Sequence, residues 1–281
     1  MRMTIRISSK HPRSTLRSVG EPGALLGRGR SAEIYAHGDE VVKLFHADFR
    51  QDMAQREAVA AEIVSASDAS APRFRGTVEA DGRYGFVMER LDGPTMMCAL
   101  MAKPWSMPRA AWLLADLHLR MHERVISRLP SQREQVAAMI ALAGDLTARS
   151  RQLALDRLAH LPDGDRLCHG DFHPDNVILT ARAPVVIDWA WAGCGSPAGD
   201  VALTSLLLTL GVPLPGMGIA HRAMIRVGRH AFHALYLRRY LHRARLSRAD
   251  IVAWRLPLAA ARLAAGIEAE RGSLLAVIRD G

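Results

Sequence analysis

The densest chemistry in the chain lies in Cys168-His169-Gly170-Asp171-Phe172-His173-Pro174-Asp175-Asn176-Val177-Ile178-Leu179. This block sets two aspartates, two histidines and an asparagine in a Gly- and Pro-punctuated loop ahead of an apolar strand. Val185-Val186-Ile187-Asp188-Trp189 follows. An aspartate at the end of an apolar strand is costly unless something binds it, and a divalent cation would. Asn176 and Asp188 offer hard oxygens from opposite ends of one hairpin, suited to Mg2+ carrying phosphates, while Asp171 is free to take a hydroxyl proton. A second constellation is Leu26-Gly27-Arg28-Gly29-Arg30-Ser31-Ala32-Glu33-Ile34-Tyr35. Gly27 and Gly29 let backbone amides approach an anion with no Cβ in the way. Lys43 then interrupts the apolar run Val41-Val42-Lys43-Leu44-Phe45. Its ammonium could contact two phosphates while a helix carboxylate holds it; Glu57 is the natural partner and Glu62 the second choice.

The elements that must position these residues change in texture along the chain. Through residue 90 short β-rich runs alternate with turns: strands are predicted at Glu33–Ala36, Val41–Phe45, Phe74–Glu79 and Tyr84–Glu89, with one helix over Gln51–Ser65 ending near Ser67-Asp68. The last two strands are joined by Ala80-Asp81-Gly82-Arg83, a hairpin turn. After Leu91-Asp92-Gly93-Pro94 the pattern becomes helical, over Pro108–Arg128, Ser131–His160, Val201–Leu210, His221–Arg245 and Ser247–Arg279, with a hairpin at Asn176–Asp188. A turn is expected at Gly211, Pro213, Pro215 and Gly216. The domains are therefore expected at 1–90 and 91–281.

His169-Gly170-Asp171-x-x-x-x-Asn176 with Asp188 resembles the catalytic segment of the aminoglycoside phosphotransferase and choline-kinase-like enzymes, small-molecule relatives of the protein kinases. Gly27–Tyr35 is similar to their nucleotide loop, Lys43 and Glu57 to their paired lysine and helix glutamate, and Met88–Gly93 to their hinge. The resemblance implies an α+β, two-lobed protein-kinase-like fold with a small antiparallel β-rich N-lobe carrying one helix and a larger helical C-lobe. It implies ATP, with GTP as the alternative nucleotide, held between the lobes: phosphates at Gly27, Gly29, Ser31 and Lys43, with Glu57 fixing Lys43, and adenine near Glu89 and Leu91. Asn176 and Asp188 would hold Mg2+, and Asp171 would deprotonate a hydroxyl on a small-molecule acceptor such as an aminoglycoside-like antibiotic, a sugar or an amino alcohol. Asp200, in Gly199-Asp200-Val201-Ala202, would brace the loop, and His169 is read as a structural hydrogen bonder. Asp188-Trp189-Ala190 stands where protein kinases have Asp-Phe-Gly, and no Ala-Pro-Glu segment follows, which argues against a protein substrate.

Two rival readings fit parts of the sequence. His169, Asp171, His173 and Asp175 alternate, so an extended loop would point them one way to chelate zinc or iron for hydrolysis. That leaves the glycine loop, Lys43 and Asp188 unexplained. A catalytically inactive kinase-like protein binding nucleotide or nucleic acid would have no reason to keep Lys43, Asp171, Asn176 and Asp188 together.

Composition sets the limits. The 281 residues are 49% hydrophobic and 23% charged with a formal charge of +9, a globular balance that excludes disorder, collagen and coiled coil. Only three of the 37 basic residues are lysines (Lys10, Lys43 and Lys103), so the positive charge is an arginine bias, which makes Lys43 stand out. From Val201 onward 12 arginines face 4 acids. With few aromatics interleaved, we read a solvated helix face rather than a nucleic-acid surface. Cys98, Cys168 and Cys194 fit no metal spacing, and with no secretory segment a reducing cytoplasm is expected, with no membrane partner. The Arg- and Ser-rich N-terminus is read as a basic strand leading to the glycine loop. Trp105, Trp112, Trp189, Trp191 and Trp254 are expected to fill the core, and Met96, Met97, Met101 and Met107 to pack beneath the hinge.

Overall fold

Side chains alternate along a strand, so in Glu40–Phe45 Val42 and Leu44 share one face while Lys43 and Phe45 share the other. The computed structural model describes residues 5–8, 17–19, 23–67, 69–210 and 218–280, the first two stretches by backbone alone. The predicted helix end at Asp68 and the turn from Gly211 to Gly216 lie outside the described residues. In chain order the elements are β1 (Ile5–Ser8), β2 (Arg17–Val19), β3 (Leu25–Arg28), β4 (Ala32–His37), β5 (Glu40–Phe45), α1 (Gln51–Ser65), β6 (Phe74–Ala80), β7 (Arg83–Glu89), α2 (Met96–Ala102) and α3 (Met107–His122). There follow α4 (Gln132–Leu142), α5 (Ala148–Ala159), β8 (Arg166–Cys168), β9 (Val177–Leu179), β10 (Pro184–Val186), β11 (Gly193–Gly195) and α6 (Pro197–Leu210). Last come α7 (Ile219–Arg243), α8 (Arg248–Ala253), α9 (Arg255–Arg262) and α10 (Glu268–Asp280). The chain divides into two compact units, Met1–Pro94 with Val177–Ala190, and Thr95–Asn176 with Trp191–Gly281.

The first unit is a seven-stranded sheet ordered β2-β1-β6-β7-β5-β4-β3, antiparallel at every pairing. Val42, Leu44, Val78, Ala80 and Val87 pack on one side of it. On the other, Ala54 and Ala58, four apart on α1, meet Ala32, Phe45 and Phe86. Each large apolar side chain so buried contributes about 1.5–3 kcal/mol. The β9–β10 hairpin belongs here because its backbone bonds to this unit: Leu179 N–H donates to Pro94 O (2.9 Å) and Val186 N–H to Ser70 O (2.6 Å). The boundary expected at 90/91 did not include this returning segment, since those two bonds span 85 and 116 residues of sequence (179 less 94, 186 less 70).

The second unit is helical, with α3 along α7, and α4 and α5 against α9. Trp254, Tyr236, Tyr240, Leu114, Ile140 and Leu167 are fully buried in it. Two predicted helices are broken. Ser131–His160 is α4 and α5, since Gly144-Asp145 intervenes and Thr147 caps a new start, its side chain accepting from Ser150 N–H (3.1 Å). Ser247–Arg279 is α8, α9 and α10: Trp254 separates the first two, and Gly266 takes a left-handed conformation (φ 63°) that ends the turn after α9. Trp254 and Trp189 are buried as expected, but Trp105 is 77% exposed and Trp112 and Trp191 also face solvent; Met96 is buried and Met101 exposed. Long helices carry surface faces as well as core faces, and residue type alone does not assign the face. Among the described residues no helix is long and apolar enough to cross a membrane.

Candidate functional site

In the first unit, β5 pleating aims Lys43 at α1, where Glu57 follows Ala54 by three and precedes Ala58 by one on the sheet-facing side. The Lys43 ammonium donates to Glu57 Oε1 and lies 3.8 Å from Asp188 Oδ1. It also sits 5.7 Å from the Phe45 ring centre. Glu62, five residues past Glu57, is exposed, so Glu57 is the partner. Burial works against the Lys43 charge, yet Glu57 and Asp188 outweigh it and hold its pKa above the usual value. Burial likewise pushes the Glu57 carboxyl up, against the pull of Lys43. Asp188 adopts φ 64°, a left-handed conformation rare for a residue with a Cβ, and its side chain is 46% exposed. A cavity of about 30 Å³ beside Lys43, Glu57 and Asp188 has room for a water.

The glycine loop joins β3 to β4. A Cβ at Gly27 would meet no protein atom within 4 Å, and one at Gly29 only Ala32 O at 3.4 Å, so neither glycine is required by packing. Ser31 O accepts from His46 N–H at 2.9 Å, tying the loop to the end of β5. Glu33 anchors it from below, accepting from Tyr35 (2.8 Å), Arg83 (2.9 Å) and Arg28 (2.9 Å). The Tyr35 and Arg83 hydrogen bonds lead in holding its pKa down to about 2. Glu89 closes β7, its carboxylate accepting from Arg73 N–H (3.3 Å), and Leu91 is half-buried just beyond.

In the second unit, β8 delivers the loop that carries Asp171. His169 and Phe172 are buried, while Asp171 and His173 face outward. Gly170 has φ 76°, and a Cβ there would meet Trp191 O at 2.5 Å; only glycine serves. Asp200 on α6 holds the loop from inside, accepting from the amides of His169 (2.7 Å) and Gly170 (2.9 Å). The same carboxylate accepts from His118 Nε2 (3.0 Å) and His122 Nε2 (3.2 Å) of α3. Their Nδ1 atoms meet the hydroxyls of Tyr236 (2.6 Å) and Tyr240 (2.7 Å) of α7. Burial and neighbouring His122 push His118 down to about 3. Burial would raise Asp200, but the bonds from His118 and His122 win and hold it well below the carboxylate range.

Asp171 is held by its neighbours. Asn176 Nδ2 donates to its carbonyl (2.9 Å), His173 Nε2 is 3.6 Å from Oδ2, and Arg262 Nη1 is 3.8 Å from Oδ1. Burial would raise its pKa, but the bond to His173 leads the opposing effects and the group stays a carboxylate. Thus the first unit gathers Lys43, Glu57 and Asp188, and the second gathers Asp171 and Asn176. The hydrolase ligand set is not gathered: His169 is buried and its Nδ1 accepts from the Asp171 N–H (3.2 Å), while the side chains of Asp171 and His173 face outward. Among the described residues the one ligand set close enough for a metal is His118, His122 and Asp200, and its atoms are already engaged with each other. Sequence reasoning missed His118, His122, Tyr236 and Tyr240; the available signal was the shared four-residue spacing. It also missed Arg262, for which no local signal exists.

The sequence model of the phosphotransferase enzyme family matches residues 24–244, and the chain belongs to that family. Among solved structures it is similar to a thermostable mutant of aminoglycoside phosphotransferase APH(4)-Ia, at 16% identity and TM-score 0.63 over 94% of this chain and 96% of that one. A ternary complex of that enzyme with AMP-PNP and hygromycin B gives 17% identity and TM-score 0.60 over 92% and 93%. Aminoglycoside phosphotransferase APH(3'')-Id from Streptomyces rimosus gives 21% identity and TM-score 0.52 over 86% and 92%. At these identities the likeness establishes the fold: kinase-like, α+β, with the antiparallel-sheet unit and the helical unit just described. No curated protein sequence matches the chain.

Proposed function

We propose that the protein transfers the γ-phosphate of ATP to a hydroxyl of a small molecule in the cytoplasm, with Mg2+. The observation that carries this reading is the Lys43, Glu57 and Asp188 cluster, in which two carboxylates surround one ammonium and Asp188 is nearly half exposed. The excess negative charge suits a divalent cation. The hydrogen bonds of Asn176 run through Nδ2 and leave its Oδ1 out of them. The donor chemistry of both residues therefore fits Mg2+, which when bound would neutralise charge on the β- and γ-phosphates. GTP is the alternative nucleotide.

Each residue has a distinct task in this reading. Lys43, kept charged and aimed by Glu57, holds the α- and β-phosphates. The loop of Gly27, Gly29 and Ser31 covers the phosphates, its glycines not demanded by packing and so open to close approach, with the Gly29 N–H held by Ala32 O (2.8 Å). Glu89 and Leu91 border the adenine. Asp171, an ionised carboxylate oriented by Asn176, orients the acceptor hydroxyl and accepts its proton. Positioning and charge neutralisation do most of what phosphoryl transfer requires. The named relatives act on aminoglycosides; for this chain the acceptor class is a small-molecule hydroxyl such as an aminoglycoside-like antibiotic, a sugar or an amino alcohol.

Thermal melts with ATP, Mg2+ and both together test the reading. Ligand at a hundred times its Kd adds about 2.7 kcal/mol, a shift of several degrees for a chain of this size. The shift is expected to need Mg2+ and to vanish largely in Lys43→Ala. A folded protein with no shift would overturn the nucleotide assignment.

A further inference from the structure

Asp171 has a neighbour that its own loop does not supply. On α9, Leu258 and Ala259 are buried, and Arg262 follows them by four and three, so it falls on the same helix face. A guanidinium on an apolar stripe is costly unless it is paired. Gly266 (φ 63°) turns the chain back into α10, and Glu270 supplies the partner. Arg262 forks onto it, Nε donating to Oε2 (2.8 Å) and Nη2 to Oε1 (3.1 Å). The fork uses one edge of the planar guanidinium and leaves Nη1 outside it, 3.8 Å from Asp171 Oδ1.

On the other side of the carboxylate, His173 Nε2 and Asn176 Nδ2 stand 3.6 Å and 3.5 Å from Oδ2. All three approaches exceed about 3.2 Å, the upper end for a full-strength N–H···O bond. Asp171 is thus flanked on both oxygens by nitrogen groups that orient it, and neither oxygen is consumed. The sheet unit carries the same arrangement in itself: Lys43 is hydrogen-bonded to Glu57 and stands 3.8 Å from Asp188. In each unit a glutamate holds the cation, and a more open aspartate faces it. Side-chain exposure is 7% at Glu57 against 46% at Asp188, and 13% at Glu270 against 25% at Asp171.

We propose that Arg262 is a positioning residue for Asp171, and that Glu270 sets its distance, near enough to orient the base and too far to bond it. This rests on the phosphotransfer reading, in which Asp171 is the base. Without Arg262 the carboxylate loses one side of its support. Without Glu270 the guanidinium closes onto Asp171 and takes the lone pair that the hydroxyl proton needs.

Single-turnover hydrolysis of ATP with Mg2+ by the full chain tests this without an acceptor. Water takes the place of the hydroxyl: it attacks the γ-phosphorus, ADP leaves, and the proton passes to Asp171. Displacing a reacting group by about 1 Å costs about a hundredfold in rate, so Arg262→Ala should slow hydrolysis about a hundredfold and Glu270→Gln about tenfold, with the Kd of a non-hydrolysable ATP analogue within about twofold. Arg262→Lys, or guanidinium added to Arg262→Ala, should recover about tenfold, which a purely structural loss would not show. Arg271→Ala removes the ion pair to Asp145 (2.9 Å) from the same helix and should leave the rate unchanged. Unaltered rates in Arg262→Ala and Glu270→Gln would overturn the proposal. So would a loss that neither lysine nor guanidinium restores, or an equal loss in Arg271→Ala. A chain that binds no ATP analogue, or binds it and hydrolyses no ATP, counts against the phosphotransferase reading instead. The contact is then read without nucleotide: the NMR signals of the Arg262 guanidinium should shift in Asp171→Asn, and unmoved signals would overturn the proposal.

Discussion

In the sheet unit a buried ammonium, Lys43, has two carboxylate neighbours, one hydrogen-bonded and one at 3.8 Å. In the helical unit a buried carboxylate, Asp200, accepts four hydrogen bonds, two from imidazoles and two from backbone amides. The Asp200 network is closed: every polar atom at its centre has a partner, and burial keeps His118 neutral. Such a network can only hold position. The Lys43 cluster is open, since its charges do not cancel and one carboxylate reaches solvent. A buried charge with complete hydrogen bonding reads as structure, and one with charge left over reads as a seat for a ligand.

Asp200→Ala should break the closed network most severely. It leaves two imidazole N–H groups and two amides buried without an acceptor, a loss of about 3–5 kcal/mol by analogy with a broken buried pair. Urea unfolding measures it, and a loss under about 1 kcal/mol would mean that the network is dispensable. Asp171→Asn acts on chemistry alone. It should lower kcat about a thousandfold, roughly 4 kcal/mol of barrier, with nucleotide Kd within about twofold; single-turnover and binding assays separate the two, and normal transfer would place the base elsewhere.

The third effect is on pH dependence. His118 sits at about 3 when folded, against about 6.5 in an unfolded chain, so the unfolded state binds the proton first. Stability present above pH 6.5 is therefore lost as pH falls toward about 3, with a slope of up to about 1.4 kcal/mol per pH unit. Denaturant melts across that window should show a shallower slope in His118→Phe. An unchanged slope would mean that other groups carry the acid sensitivity.

Much of the candidate site was legible because its residues are close in sequence. Asp171 and Asn176 lie in one loop, and Gly27, Gly29 and Ser31 in another. Glu57 over Glu62 was a matter of helical phase. The Lys43 strand and helix Gln51–Ser65 were legible from period alone, as was the hairpin turn at Asp81-Gly82. The helix breaks at Gly144 and Gly266 carried the usual breaker residues but sat inside long Ala/Leu/Arg runs whose periodicity masked them. The exposed faces of Trp105 and Trp112 were not legible, since an indole is as readily buried as not.

The chain's own order of residues determined the family, the alternation that turns Lys43 toward α1, and the short loop that places Asp171 next to the Asn176 amide. These are local properties of pleat, helical turn and turn chemistry, and they act over a few residues. Tertiary structure alone decided that α3 and α7 would supply the histidines and tyrosines around Asp200, that the 177–190 hairpin would join the sheet unit, and that Arg262 would stand beside Asp171. Residues 91 apart meet there (262 less 171) at 3.8 Å. No local pattern encodes such a contact, because it arises only when α9 and the loop that carries Asp171 pack into one core.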